Sequence, residues 1–128
     1  MLFNIANVIA VGLGGFLGAV LRFYINTEIV KHFPSQIPYA TLSVNVIGSF
    51  FIGILITLFI NYSPNETIKA FLVTGFLGAL TTYSTFAIES YILLNSHFWY
   101  GILNIFLNVF GTIVAAGIGY KIITYLIR

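Results

Sequence analysis

Four long apolar runs, nearly free of charge, leave this chain few ways to fold: 3–24, 39–60, the stretch from Pro64 to Leu94, and 98 onward. A helix needs about 20 residues to cross roughly 30 Å of hydrocarbon, and each run reaches that length. None alternates polar and apolar residues as a membrane β-barrel strand does. Only 6% of the 128 residues are charged and 59% are hydrophobic, whereas soluble domains carry about 25% charged residues. The expected fold is therefore an all-α membrane protein with four transmembrane helices, a single domain over 1–128 with the lipid bilayer around it. The first run has no basic leader and full spanning length, so it reads as a span and not as a cleaved signal.

The same composition excludes several functions. With no cysteine, the chain has neither disulfides nor thiolate metal sites. A net charge of +2 is too small to imply a nucleic-acid partner. No nucleophile, base and orienting acid can be grouped, so an enzyme is not expected.

Within the third run, Gly75 to Phe86 is the most informative stretch. Glycines at 75 and 78 remove side chains, and Thr81, Thr82, Ser84 and Thr85 offer local hydrogen bonds that compete with a helix. A third helix broken at the midplane is the expectation. Freed backbone groups at that depth need protein or a water-filled cavity to satisfy them, so the break marks a site. Beyond it, Tyr83, Phe86 and Glu89 recur at spacings of three and would share one stripe of a resumed helix.

The other runs supply partners. In the first, Gly14, Gly15, Gly18 and Ala19 form two small-xxx-small pairs that let helix backbones approach closely. Arg22 follows on the same face, either snorkelling to the interface or serving as a vestibule cation that pairs a carboxylate or draws anions. The second run places Thr41, Asn45 and Ser49 on one face, with Asn45 the most central. An amide donates or accepts, so Asn45 suits packing or a pore of either selectivity. Asn104, Asn108 and Thr112 make a second polar stripe in the fourth run. Two uncharged stripes beside a hydroxyl-rich break exceed what packing requires and point to a water- or ion-lined path.

Connections are short. A polar link joins Ile25 to Ile37, and a turn of about three residues, Asn95, Ser96 and His97, leads into the fourth run. Ser63-Pro64-Asn65-Glu66 reads as a helix start with Ser63 as the cap, so the third helix is expected to begin near Pro64. Phe98, Trp99 and Tyr100 form an aromatic belt, and His32 and His97 read as interfacial. Lys69, Lys121 and Arg128 on one side face Arg22 and Lys31 on the other, a bias too small to fix orientation. Insertion both ways round permits an antiparallel, dual-topology homodimer that unites two copies of the break.

Three segments resemble the CrcB/Fluc fluoride channels of microbes: Gly-Gly-Phe-Leu-Gly-Ala-Val-Leu-Arg-Phe (14–23), Thr-Leu-Ser-Val-Asn-Val-Ile-Gly-Ser-Phe (41–50) and Gly-Ala-Leu-Thr-Thr-Tyr-Ser-Thr-Phe-Ala-Ile-Glu (78–89). They fall in order and at matching spacing. The resemblance implies a fluoride-selective channel in the inner (plasma) membrane that relieves fluoride toxicity, built as an antiparallel homodimer, or a heterodimer with a paralogue. It implies two pores and a central structural sodium ion held by the backbone carbonyls of Gly78 and Thr81. Asn45 would be the pore amide, Arg22 the vestibule arginine and Glu89 the acidic residue beyond. The two pore phenylalanines fall on Tyr83 and Phe86, so Tyr83 departs from the pattern. Ser84, Thr85, Asn108 and Thr112 complete the polar lining. The ion's identity rests on this resemblance, since Glu89 alone suggests proton or cation handling. The competing readings are a small dual-topology multidrug/proton antiporter, for which the first span lacks the deep carboxylate, and a structural membrane subunit.

Overall fold

A computed structural model of the chain describes residues 2–128. Helix α1 spans Ile5–His32 and is capped by Asn4, whose side-chain oxygen accepts from the Asn7 amide at 2.9 Å. Helix α2 spans Tyr39–Tyr62. The third span starts as α3 (Glu66–Lys69), widens into a π-helix over Ala70–Leu77 and tightens again as α4 (Gly78–Leu80). After Thr81 and Thr82 it continues as α5 (Tyr83–Ser96), and α6 runs from Phe98 to Leu126. Among the described residues, four helical segments of 28, 24, 31 and 29 residues are long and apolar enough to cross a membrane.

Three boundaries differ from those expected. Helix α1 continues eight residues past Tyr24, through the link read as polar connection. Thr27 donates to the Phe23 carbonyl at 2.8 Å and Glu28 lies 3.3 Å from His32, so the polar residues support one another along the last turns. Ser63 does not cap the third span. It adopts a left-handed conformation (φ 44°) that ends α2 by giving its amide to the Phe59 carbonyl, and Asn65 takes the capping role, accepting from the Ile68 amide at 2.9 Å. The third span consequently begins at Glu66, with Pro64 outside it. Lastly, the turn before α6 is His97 alone: its amide closes α5 on the Leu93 carbonyl, and its carbonyl accepts from Tyr100 and Gly101.

Packing is inverted relative to a water-soluble bundle. Large apolar side chains such as Phe16, Phe23, Phe106, Phe110 and Ile113 are exposed, while Asn7, Thr41, Asn45, Ser90, Asn104 and Asn108 are buried. Lipid tails are as apolar as leucine, so an apolar exterior costs nothing and the polar side chains turn inward to find one another. Helix α2 packs chiefly on α6, and α1 on the π-helical stretch. A small core of Val44, Leu77 and Leu80, ringed by Leu21, Ile25, Ile52, Leu55 and Phe76, joins these pairs just before Thr81.

Candidate functional site

The last backbone bond of α4 runs from the Thr81 amide to the Leu77 carbonyl at 3.1 Å. Thr81 (φ −83°, ψ 159°) and Thr82 (φ −148°, ψ 113°) are extended. A continuous helix would return the amides of residues 82 to 85 to the carbonyls of residues 78 to 81. Instead, the Thr82 amide donates to Asn45 Oδ1 at 2.8 Å, which takes from the Gly78 carbonyl its helical donor. The Thr85 amide turns to Thr82 Oγ1 at 3.3 Å, capping α5 and doing the same to the Thr81 carbonyl. The Ala79 carbonyl accepts from Arg22 Nε at 2.8 Å.

Asn45 is fully engaged. Its Nδ2 donates to the Thr82 carbonyl at 3.1 Å and to Asn108 Oδ1 at 3.0 Å, so one amide grips both polar groups of the Thr82 backbone. From there the amides run head to tail. Asn108 Nδ2 donates to Asn104 Oδ1 at 3.1 Å, and Asn104 Nδ2 donates to Ser90 Oγ at 2.9 Å. Each member is buried, and each bond is stronger there than in water. Thr112 gives its hydroxyl to the Asn108 carbonyl at 2.6 Å.

A hollow of about 510 Å³ opens beside Thr81 and Thr82. Asn45, Gly78, Thr81, Tyr83, Phe86, Asn108 and Thr112 all line it, with Gly48, Ser49 and apolar side chains completing the wall. The Tyr83 and Phe86 rings meet edge to face, 5.4 Å apart at 72°. The stripe expected of Tyr83, Phe86 and Glu89 spans three environments, since Tyr83 is 79% exposed, Phe86 6% exposed and Glu89 half-buried. Ser84 is exposed, and Thr85 is tied to Thr82, whose hydroxyl donates to Thr85 Oγ1 at 2.9 Å; neither lines the hollow. Glu89 Oε1 accepts from Thr41 at 2.9 Å, and Oε2 is buried with no hydrogen-bond partner among the described residues. Arg22 lies apart from the hollow.

Sequence reasoning did not single out Ser90 or the π-helical stretch. Asn104 carried a signal, four residues before Asn108 on the same face; Ser90 carried none, and the π-helix has no residue pattern that distinguishes it from α-helix.

Carbonyls stripped of their helical donors are the kind of oxygen a hard cation such as sodium takes as ligand. Gly78 and Thr81 both present one, so the residues present fit the ion.

These features define a four-span helical membrane protein whose buried polar side chains converge on two non-helical residues. Residues 9–120 match the family described as CrcB-like protein, Camphor Resistance (CrcB), and the chain belongs to that family. It is 54% identical over 125 residues to the fluoride-specific ion channel FluC of Sulfurimonas denitrificans, covering 95% of this chain and 96% of that relative. The FluC of Nitratiruptor sp. is 49% identical over 111 residues, covering 86% of each chain. That of Campylobacter jejuni subsp. jejuni is 45% identical over 117 residues, covering 91% of this chain and 96% of the relative.

Proposed function

We propose that this protein is a fluoride-selective ion channel in the inner (plasma) membrane, an antiparallel dual-topology homodimer with two pores. It lets fluoride leave the cell down its electrochemical gradient. The observation that carries the reading is the hollow in which Asn45, Tyr83, Phe86, Asn108 and Thr112 come together beside Thr81 and Thr82. The names of the relatives supply the ion.

Chemically, the hollow suits a small anion in transit. Aromatic rings are positive at their edges, so Tyr83 and Phe86 attract an anion without a fixed countercharge that would hold it. Asn108 and Thr112 add polar groups to the wall while Ser84 and Thr85 lie outside it, so the ion meets only weak sites, as conduction requires. Asn45, already bonded to Thr82, keeps the wall rigid. The interruption of the third span at Thr81 and Thr82 lies at the bilayer midplane, where two antiparallel copies meet. There the Gly78 and Thr81 carbonyls of both copies would hold a structural sodium ion, whose charge satisfies those carbonyls and favours anions nearby.

A bacterium lacking fluoride export tests the proposal. Expression of this chain restores growth in fluoride-containing medium; a membrane-inserted chain that gives no protection would sink the reading.

A further inference from the structure

One face of α1 carries Gly14, Gly18 and Arg22 at intervals of four, and it runs along three carbonyls of the third span. Gly14 and Gly18 let the α1 backbone lie against the carbonyl oxygens of Phe71 and Phe76 in the π-helical stretch, where a Cβ on either glycine would collide with oxygen. One turn on, Arg22 donates to the Ala79 carbonyl, 57 positions away in the chain. That carbonyl is one of the four that end α4 with no helical donor. Its donor in a continuous helix would be the Tyr83 amide, which lies beyond the two extended residues. An unsatisfied carbonyl is costly in a membrane interior, so this bond matters to where α4 stops.

The bond uses Nε rather than the terminal guanidinium nitrogens. Nε directly follows Cδ. A glutamine carries its amide nitrogen at the same position, without charge, whereas a lysine carries its charge one atom further out and has only a methylene there. Position and charge are therefore separable.

We infer that Arg22 is a positioning residue: its Nε–H holds the end of α4, and through it the Gly78 and Thr81 carbonyls and the Thr82 backbone gripped by Asn45. Its charge is not what the site uses. Only the flux readout below rests on the fluoride-channel reading.

The test compares the full-length wild type with Arg22→Gln, Arg22→Lys and Arg22→Met, each reconstituted in lipid. Two quantities are read: fluoride efflux, and hydrogen–deuterium exchange of the amides in residues 78–86. Arg22→Gln keeps efflux within about threefold of wild type and keeps the amides protected, while Arg22→Lys and Arg22→Met lose about tenfold or more in efflux and exchange faster there. Peptides from α2 and α6 exchange at wild-type rates in every variant that folds; should Arg22→Met not fold, the order of Gln against Lys decides. Wild-type behaviour of Arg22→Lys with failure of Arg22→Gln would assign the role to charge, and wild-type behaviour of Arg22→Met would remove the role altogether; either overturns the inference. If the wild type itself passes no fluoride, the channel reading fails, and the exchange ranking alone decides what Arg22 does.

Discussion

Gly78 and Thr81 differ in what a substitution takes away. A Cβ on Gly78 would meet only the Val73 carbonyl, at an ordinary 3.5 Å, so within one chain a side chain can start there. If the Gly78 carbonyl faces a cation and a second copy, Gly78→Val abolishes fluoride flux or assembly even though the single chain has room for it. Thr81→Ala removes a hydroxyl that donates to the Leu77 carbonyl at 3.0 Å, but the Thr81 carbonyl stays. Its cost is about 1 kcal/mol, and flux persists. An essential Thr81 hydroxyl with a dispensable Gly78 would argue against carbonyl ligation. At Tyr83 the phenol keeps the positive ring edge and adds a donor at the far end of a mostly exposed ring. Tyr83→Phe therefore preserves or raises flux, since a direct hydrogen bond slows release of the ion, while Phe86→Ile, which deletes a buried ring edge, abolishes it. Efflux rates of the two variants, measured side by side, check both statements. Loss of flux in Tyr83→Phe would mean that the hydroxyl is part of the path.

At the scale of elements, the seat of the third span on α1 is the most demanding contact. Gly18→Val forces a branched side chain into the Phe76 carbonyl and should cost about 1–3 kcal/mol or more, with loss of assembly. Gly12→Ala points into open space and should be neutral or slightly stabilising. Denaturant resistance of the reconstituted protein distinguishes them, and equal effects would remove the special status of the Gly14–Gly18 face. The four spans were legible in the sequence because hydropathy and length alone decide what crosses a bilayer. The start of the third span was not, because Ser63 and Asn65 are both good caps and only the left-handed turn at Ser63 selects between them. Residue types also marked Asn45 and Asn108 as polar partners. They did not say that Asn45 would spend its whole amide on the Thr82 backbone and Asn108, because that depends on where three helices meet. Nor did they reveal that Arg22 reaches a carbonyl rather than a carboxylate, since Ala79 carries no side-chain signal.

For the whole molecule, assembly is the open quantity. The hollow is open, and few basic residues flank the spans, so the proposed partner is an inverted second copy. The chain has no cysteine, which makes single-cysteine labelling clean. A cysteine placed near Arg128 should be labelled about half from each side of the membrane, as dual insertion requires. Cysteines placed near opposite ends of α2 should cross-link between copies. Label from one side only, or cross-links only between like ends, would overturn the antiparallel dimer while leaving the single-chain fold intact.

The central claim is selective fluoride passage, and liposomes loaded with both fluoride and chloride test it most directly. With wild-type protein reconstituted and the membrane potential clamped by a potassium ionophore, ion-selective electrodes should record rapid fluoride release while chloride stays inside until detergent is added. Liposomes that retain fluoride, or that release chloride at a similar rate, would contradict the account.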